Sequence, residues 1–538
     1  MEPCAAAALD ADHMCAPETF GLRARSRCRA CGGASAGRSV AANAGSAAVY
    51  KGRRMTGMAP PPPVTMSRRV AGQGALLLGG FAGAQAMAFV RNAMLGHMLA
   101  KGDFGVAAIL TLLLQLLDSL TDLGVDRLIV QAKDGDDARF VATNHTALVI
   151  RGLLIGTLLF VSSGAIADFF AVPDAAAAIA AIALVPVLRG FQHLDARRAQ
   201  RRLNSRPFVW IEVAPQAVAL ALTWPVVRYV PDFQAVVWLS LAQAITALAV
   251  SHAVAERRYE LSFDTAILKR LIDFGWPIWL SAFPLVAVYH GDRIVIGRLL
   301  GVEDLAGYSA AFLLAMVPGL IAGKVGQSLM LPVFADARGD AEQLKRRFAA
   351  LSEATAIAAA IYLATAILAG GDILRIAFGP NYVGLGGVMA WLAAMWAVRM
   401  LQAVPGMLLL SVGETKPFLV AGLIRSLALI PATAVALMGY GLEAVAAMGL
   451  LGEVASLAYV AWRMEAQERG LCRIFAQRAL FLLPAGLLAA AAHLLTSGAA
   501  SEALVHAGAL SVVLCAITAA AVLVMPETRG RVHGLLRV

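Results

Sequence analysis

From about residue 70 onward, apolar runs of about 20 residues alternate with short polar connections almost to the end of the chain. That length lets an α-helix cross the hydrocarbon core of a bilayer. Inside the bilayer a helix also satisfies its own backbone N–H and C=O groups. The pattern predicts about fourteen spans, centred near residues 82, 117, 154, 183, 218, 245, 280, 318, 360, 398, 427, 452, 487 and 515. The expected fold class is all-α: a polytopic integral membrane protein. The longest connection is roughly 15 to 20 residues, which leaves no room for a soluble catalytic domain on either face.

Residues 1–65 break the pattern. They are rich in Ala, Arg, Gly and Ser, end in Pro60-Pro61-Pro62-Pro63, and hold no segment long enough to span. We read them as a disordered extension or as a misassigned start, with translation beginning near Met55, Met58 or Met66. No apolar h-region follows their basic cluster, so they do not read as a signal peptide. Cys28 and Cys31 with His13 make a lone CxxC without a second pair, and no metal site is expected.

Composition agrees with the spans. Of 538 residues 59% are hydrophobic and only 15% charged, and the mean hydropathy is +0.71. A soluble domain is nearer a quarter charged, and disorder, coiled coil or collagen would each need a different composition or period. The net charge of +10 would suggest nucleic acid in a soluble protein, but here the basic residues gather in loops, so no nucleic-acid partner is expected.

Loop charge predicts orientation. Loops after even-numbered spans carry 24 Lys and Arg, among them Arg127, Arg197, Arg198, Arg257, Lys345, Arg463 and Arg529. The opposite side carries 6: Arg91, Lys101, Arg228, Arg293, Arg298 and Arg375. This alternation puts both termini in the cytoplasm. Across the apolar part of the chain there is no GxxxxGK[ST], HExxH or GxSxG pattern, so neither ATP hydrolysis nor covalent chemistry is expected, and no cofactor. Energy would come from a gradient or from the substrate.

A shift of 202 residues superposes Arg91 on Arg293, Gly105 on Gly307, Ala108 on Ala310, Leu112 on Leu314 and Gly124 on Gly326. A repeat of six spans gives two copies in the same orientation, related by an axis along the membrane normal. The expected organisation is a six-helix lobe over 70–258, a second over 265–465, two extra helices over 475–526 and a cytoplasmic tail over 527–538.

Several motifs fall in that frame: Phe274-Gly275-Trp276-Pro277, Gly291-Asp292-Arg293 continuing to Gly301, Ala306-Gly307-Tyr308-Ser309-Ala310-Ala311 and Leu331-Pro332-Val333-Phe334. Lys101-Gly102-Asp103-Phe104-Gly105, Asp122-Leu123-Gly124 and Phe378-Gly379-Pro380-Asn381-Tyr382 accompany them. In order and spacing they resemble the polysaccharide biosynthesis flippases of the multidrug/oligosaccharidyl-lipid/polysaccharide exporter superfamily, over roughly residues 70 to 465. The resemblance implies two six-helix lobes around a central cavity. It also implies transfer of undecaprenyl-diphosphate-linked oligosaccharide to the outer leaflet of the bacterial inner membrane, with polysaccharide polymerase and export machinery as further partners. A multidrug/cation antiporter or a peptidoglycan-precursor flippase of the same superfamily is the first alternative. A membrane-embedded glycan polymerase or acyltransferase is the second.

Ionisable residues within spans cost about 2.5 to 3.5 kcal/mol each on insertion and therefore mark function or pairing. Arg399 leads the candidates for contact with an anionic cargo, followed by Lys324 and Arg425, because a guanidinium fork matches a diphosphate. Arg399 paired with Glu453 would instead tie two helices together. Asp118 and Asp122, four residues apart, share a helix face where they could hold a coupling ion or serve structure. Arg91 and Arg293, at equivalent outer positions, are candidates for a gate or for steering the diphosphate. Asp292 points elsewhere on its helix, and His290 reads as a packed polar residue.

Overall fold

The computed structural model describes residues 66–337, 339–496 and 502–529. The N-terminal extension with its CxxC, and residues 530–538, lie outside the described residues. The described chain is helical, without strands. It begins with α1 (Met66–Met98), α2 (Lys101–Leu120), α3 (Val125–Gln131), α4 (Ala138–Val161), α5 (Ser163–Phe169), α6 (Ala176–Ile182) and α7 (Leu184–Gly190). α8 (Asp195–Arg201), α9 (Arg206–Tyr229), α10 (Gln234–Ala253), α11 (Thr265–Leu299), α12 (Val302–Asp336), α13 (Ala341–Phe378) and α14 (Gly386–Ser411) follow. The chain continues through α15 (Lys416–Leu427), α16 (Leu429–Leu437), α17 (Leu442–Gln467), α18 (Leu471–Ala479), α19 (Leu482–Thr496) and α20 (Glu502–Val524).

Fourteen of these segments are long and apolar enough to cross a membrane, as the sequence pattern predicts. This is a multi-pass membrane protein. Three spans are broken in two, a feature the hydropathy pattern does not show. The breaks at Ala183, Ala428 and Phe481 each fall three residues before a proline: Pro186, Pro431 and Pro484. A proline has no N–H for the carbonyl four residues back and clashes with it, so the ladder parts just upstream. Asp137, Asp264 and Asp340 start α4, α11 and α13 by accepting from Phe140 N (2.8 Å), Ala266 N (2.9 Å) and Gln343 N (2.9 Å). All three lie at the end of the helices that carries the arginine-rich loops, called here the basic end.

Two helical groups are apparent in the packing. In the first, α9 packs on α1 and α10, and α4 on α7. In the second, α12, α13 and α17 surround α14, whose Trp396 is only 2% exposed. α19 and α20 rest on α13. Glu353 fastens them at one end, accepting from Thr528 N (3.0 Å) and pairing with Arg478 (3.4 Å), and the His506–Asp372 contact (2.9 Å) fastens the other.

Away from the basic end the groups meet closely. α2 lies on α12 at Gly105, where a Cβ would fall 2.0 Å from the Val302 carbonyl oxygen. α1 lies on α13 at Gly96, where a Cβ would fall 2.7 Å from Phe378. The Phe104, Phe378 and Tyr382 rings pack across the same contact, with centroids 5.6 to 6.1 Å apart. α11 belongs to the second group yet leans on the first: at Gly275 a Cβ would stand 2.4 Å from Leu123 O.

The connection between the groups, residues 254–264, is pinned to the first group. His145 donates to Glu260 O (3.0 Å) and accepts from Leu194 N (3.1 Å). His193 donates to Arg257 O (3.1 Å) and accepts from Asp195 N (3.0 Å). Both rings thus use one nitrogen as donor and one as acceptor, the neutral form. Buried Asp195 binds Arg198 and accepts from Glu256 N (2.7 Å). Burial works against its ionisation, but the Arg198 guanidinium and that N–H outweigh burial and hold its carboxyl below the usual range.

Candidate functional site

Two adjoining cavities lie within the first group and between it and the second. The larger, about 660 Å³, reaches the basic end and is lined by α2, α4, α7 and α9 with part of α11. The smaller, about 320 Å³, lies between the groups and is lined by α1, α2, α11 and α12 among others. Asp118, Arg189, Gln216 and Gln243 line both and mark their junction. Together the walls carry six arginines (Arg91, Arg127, Arg151, Arg189, Arg197 and Arg293) against four carboxylates (Asp118, Asp122, Asp126 and Glu212).

The charges are not evenly paired along this path. Near the basic end Arg197 pairs with Asp126 (2.6 Å) and Arg127 lies 3.8 Å from Asp122. At the junction the single carboxylate of Asp118 bridges two arginines, with Arg189 bonded directly and Arg151 at 3.6 Å. Beyond it, among the described residues, Arg91 and Arg293 make no ion pair. Arg91 donates to Gln216 Oε1 (3.4 Å), and Arg293 donates to Tyr289 O (2.6 Å) and His290 Nδ1 (3.0 Å) while lying 4.8 Å from the Phe312 ring centroid. The path therefore grows more cationic from the basic end inward.

Some of the residues singled out in the sequence line this path. Arg91 and Arg293 are not at the outer ends of their helices: about two turns of α1 and α11 lie beyond them, and both face the smaller cavity. The 202-residue shift thus superposes two arginines that reach one chamber. Asp292 turns away to accept from Tyr308 Oη (2.5 Å). His290 contacts Arg293. Asp118 and Asp122 both line the larger cavity, but Asp122 also accepts from Gly124 N (2.9 Å), closing the turn after α2.

Arg399, Arg425 and Glu453 come together elsewhere, inside the second group. Glu453, 2% exposed, accepts from Arg399 Nε (3.0 Å) and faces Arg425 Nε at 3.1 Å. Gln402 continues the set, accepting from Arg425 (2.7 Å) and donating to Ser456 (3.0 Å). Arg399 also lies over the Trp396 and Tyr289 rings, 4.4 and 5.0 Å from their centroids. A cavity of about 230 Å³ borders this triad and shares no lining residue with the other two. Lys324 is within α12, and its side chain lies outside the described ones.

Arg151 and Arg189 escaped the sequence reading. Arg151 interrupts the apolar run of the third span, so its position inside that run was the available signal. Arg189 sits at the end of the fourth span, where a basic residue reads as a loop anchor. Among the described residues no group of three or more His, Cys, Asp or Glu is placed to hold a metal ion.

A family model described as polysaccharide biosynthesis protein matches residues 94–385. The lipopolysaccharide biosynthesis protein WzxC of Escherichia coli (strain K12) is 24% identical over 60% of this chain and 66% of its own length. The teichuronic acid biosynthesis protein TuaB of Bacillus subtilis (strain 168) is 22% identical over 60% of this chain and 68% of its own. The match thus spans about two thirds of each relative. In fold, the chain is similar to the lipid II flippase MurJ in an inward closed conformation, with a TM-score of 0.66 at 10% identity over 83% of this chain and 98% of that one. It is also similar to an inward-facing multidrug resistance transporter of the MATE family in the MOP superfamily, with a TM-score of 0.58 at 13% identity over 72% and 96%. The matched family model, covering more than half of the chain, makes it a member of the polysaccharide biosynthesis protein family, built on the fold of the MOP superfamily.

Proposed function

We propose that this protein is a flippase of the bacterial inner membrane that carries undecaprenyl-diphosphate-linked oligosaccharide from the cytoplasmic to the outer leaflet by alternating access. The observation that carries the reading is the arginine-lined path within membrane-spanning helices. A diphosphate brings about two negative charges and accepts bidentate bonds, and guanidinium forks supply the matching donors in a medium where an unpaired anion is costly. We assign the diphosphate to Arg91 and Arg293, with Arg189 and Arg151 on its route. Arg399 and Arg425 hold the second group together around Glu453.

The basic end is cytoplasmic on the loop-charge rule. Apart from α11, which leans on the first group near the basic end, the groups touch at the other end, and we read this state as the one that loads from the cytoplasm. Rocking the groups about that contact would expose the cargo to the outer leaflet, where polymerase and export machinery take it over. No covalent bond changes, so the protein is a transporter and not an enzyme. An exporter of organic cations would favour acidic and aromatic walls over this arginine excess.

The test is leaflet accessibility of the lipid-linked oligosaccharide in cells depleted of the protein and rescued with wild type or with Arg91→Ala/Arg293→Ala. Accumulation on the cytoplasmic leaflet, cured by wild type and not by the variant at equal membrane levels, is the expected result. Oligosaccharide that reaches the outer leaflet without the protein would overturn the reading.

A further inference from the structure

Resting on that reading, we propose that Asp118 is a built-in competitor for the cargo's phosphate: its carboxylate holds Arg151 and Arg189 where the two cavities join, and an anionic headgroup takes its place on loading. A carboxylate and a phosphate bind guanidinium groups through the same charge-assisted N–H···O geometry, so the two compete for one set of donors. The three side chains come from α2, α4 and α7, and they are 39% (Asp118), 24% (Arg151) and 40% (Arg189) exposed. They are open enough for exchange, in contrast to Glu453.

The two arginines are held differently. Arg151 also donates to Thr121 Oγ1 (3.0 Å) and to the Asp118 backbone carbonyl (2.8 Å), so it stays in place when the carboxylate leaves. Among the described residues Asp118 is the only side chain bonded to Arg189. Displacing that carboxylate frees Arg189 in a chamber it shares with Arg91 and Arg293. Such a competitor has two consequences. In the empty protein it neutralises donors that would otherwise collect inorganic anions. In the loaded protein it waits beside the site and lowers the affinity, which aids release on the far side.

Removing it should tighten binding and slow turnover together. A merely structural ion pair would not give that split. The experiment measures binding of radiolabelled undecaprenyl diphosphate to the full-length protein in lipid nanodiscs, with undecaprenol as the uncharged control. Asp118→Asn and the smaller Asp118→Ser are both measured on folded, monodisperse material, so that one misfolded variant does not decide the result. The expected result is binding about tenfold tighter than wild type in both, a change of about 1.4 kcal/mol. Rescue of flipping in depleted cells should be reduced in the same variants, and the tightening should vanish in Asp118→Asn/Arg189→Ala. Unchanged or weaker binding of diphosphate by both single variants, with wild type still preferring diphosphate to undecaprenol, would overturn the competition while leaving the flippase reading intact. If wild type shows no preference for diphosphate, both fail.

Discussion

The junction at Asp118 and the triad at Glu453 have the same ingredients, one carboxylate between two arginines inside a helical membrane protein, and opposite surroundings. At the junction the groups are roughly a quarter to two-fifths exposed, border two cavities and leave nearby Arg91 and Arg293 without an ion pair. In the triad the carboxylate is 2% exposed, Arg425 donates to Gln402, and Arg399 lies over two aromatic rings. Partly exposed, shared charges can change partners at little cost, whereas charges gathered on a buried carboxylate cannot. Charge in a span therefore does not by itself mark a cargo site. How deeply its counter-charge is buried decides.

The largest effect should come from breaking the set around the buried Glu453. Glu453→Gln leaves two guanidinium groups in the second group without a counter-charge, and removing one partner of a buried pair costs about 3 to 5 kcal/mol. The expected outcome is loss of folded protein from the membrane, read as a collapse of the monodisperse peak after extraction. The sharper arm replaces the whole set, Arg399→Met with Arg425→Leu and Glu453→Leu, which should restore membrane levels and transport. A triple variant that folds but does not transport would move the triad from brace to cargo site.

Next in size is the free-arginine end of the path. Arg293→Ala should keep normal membrane levels and lose transport by at least about tenfold, since a charge-assisted bond to phosphate is worth about 1.5 to 3 kcal/mol. Arg293→Lys keeps the charge without the fork and should recover only part of the rate. Equal transport by wild type and Arg293→Ala would erase the difference between the two regions.

A smaller effect is expected where the groups touch. Gly105→Ala puts a methyl group 2.0 Å from Val302 O, which is closer than backbone can tolerate, so the contact between α2 and α12 must open. The expected outcome is a population shifted toward the state open at that end, read as increased labelling of a cysteine introduced at Ser309, with transport reduced. Unchanged labelling would mean that this contact is not the seal.

How much of this was legible in the sequence follows from the kind of signal each feature leaves. Hydropathy is a sum over about 20 residues, so all fourteen spans could be read, and loop charge is a count. Prolines at 186, 431 and 484 were visible, but a hydropathy window does not register the lost hydrogen bond that breaks a span. Arg91 and Arg293 stand out through the repeat, which suggests a gate or a steering role, but span centres alone do not show that both line one cavity. Arg399 and Arg425 were ranked for cargo because position along a span is readable and the partner Glu453, 54 residues beyond Arg399, is only a guess until helices pack. Arg189 was hidden for the opposite reason: at a span end, a cavity arginine and a surface anchor have the same sequence.

The smallest predicted effect extends the comparison to the histidine set at the basic end. His193 is held below its ordinary value, mainly by burial and also by the neighbouring His252, while Asp195 pulls the other way. Its surroundings are His145 from α4, His252 from α10 and Tyr259 from the connection itself. Its Nδ1 accepts the Asp195 N–H, so a second proton on the ring would break that bond. Because the folded value lies below the unfolded one, about 6.5, the contribution to stability is complete above that pH and is lost as pH falls from there through the folded value. The depressed Asp195 carboxyl sets in only at lower pH, so between pH 7.5 and 5.5 His193 governs the change. Amide exchange across residues 254–264, corrected for intrinsic rate, should therefore speed up modestly as pH drops through 6.5. In His193→Ala the same segment should exchange quickly throughout, with a weaker dependence on pH. A connection equally protected at pH 7.5 and 5.5 in wild type would show that neutral His193 does not hold it, and that this set, unlike the triad, is not a brace.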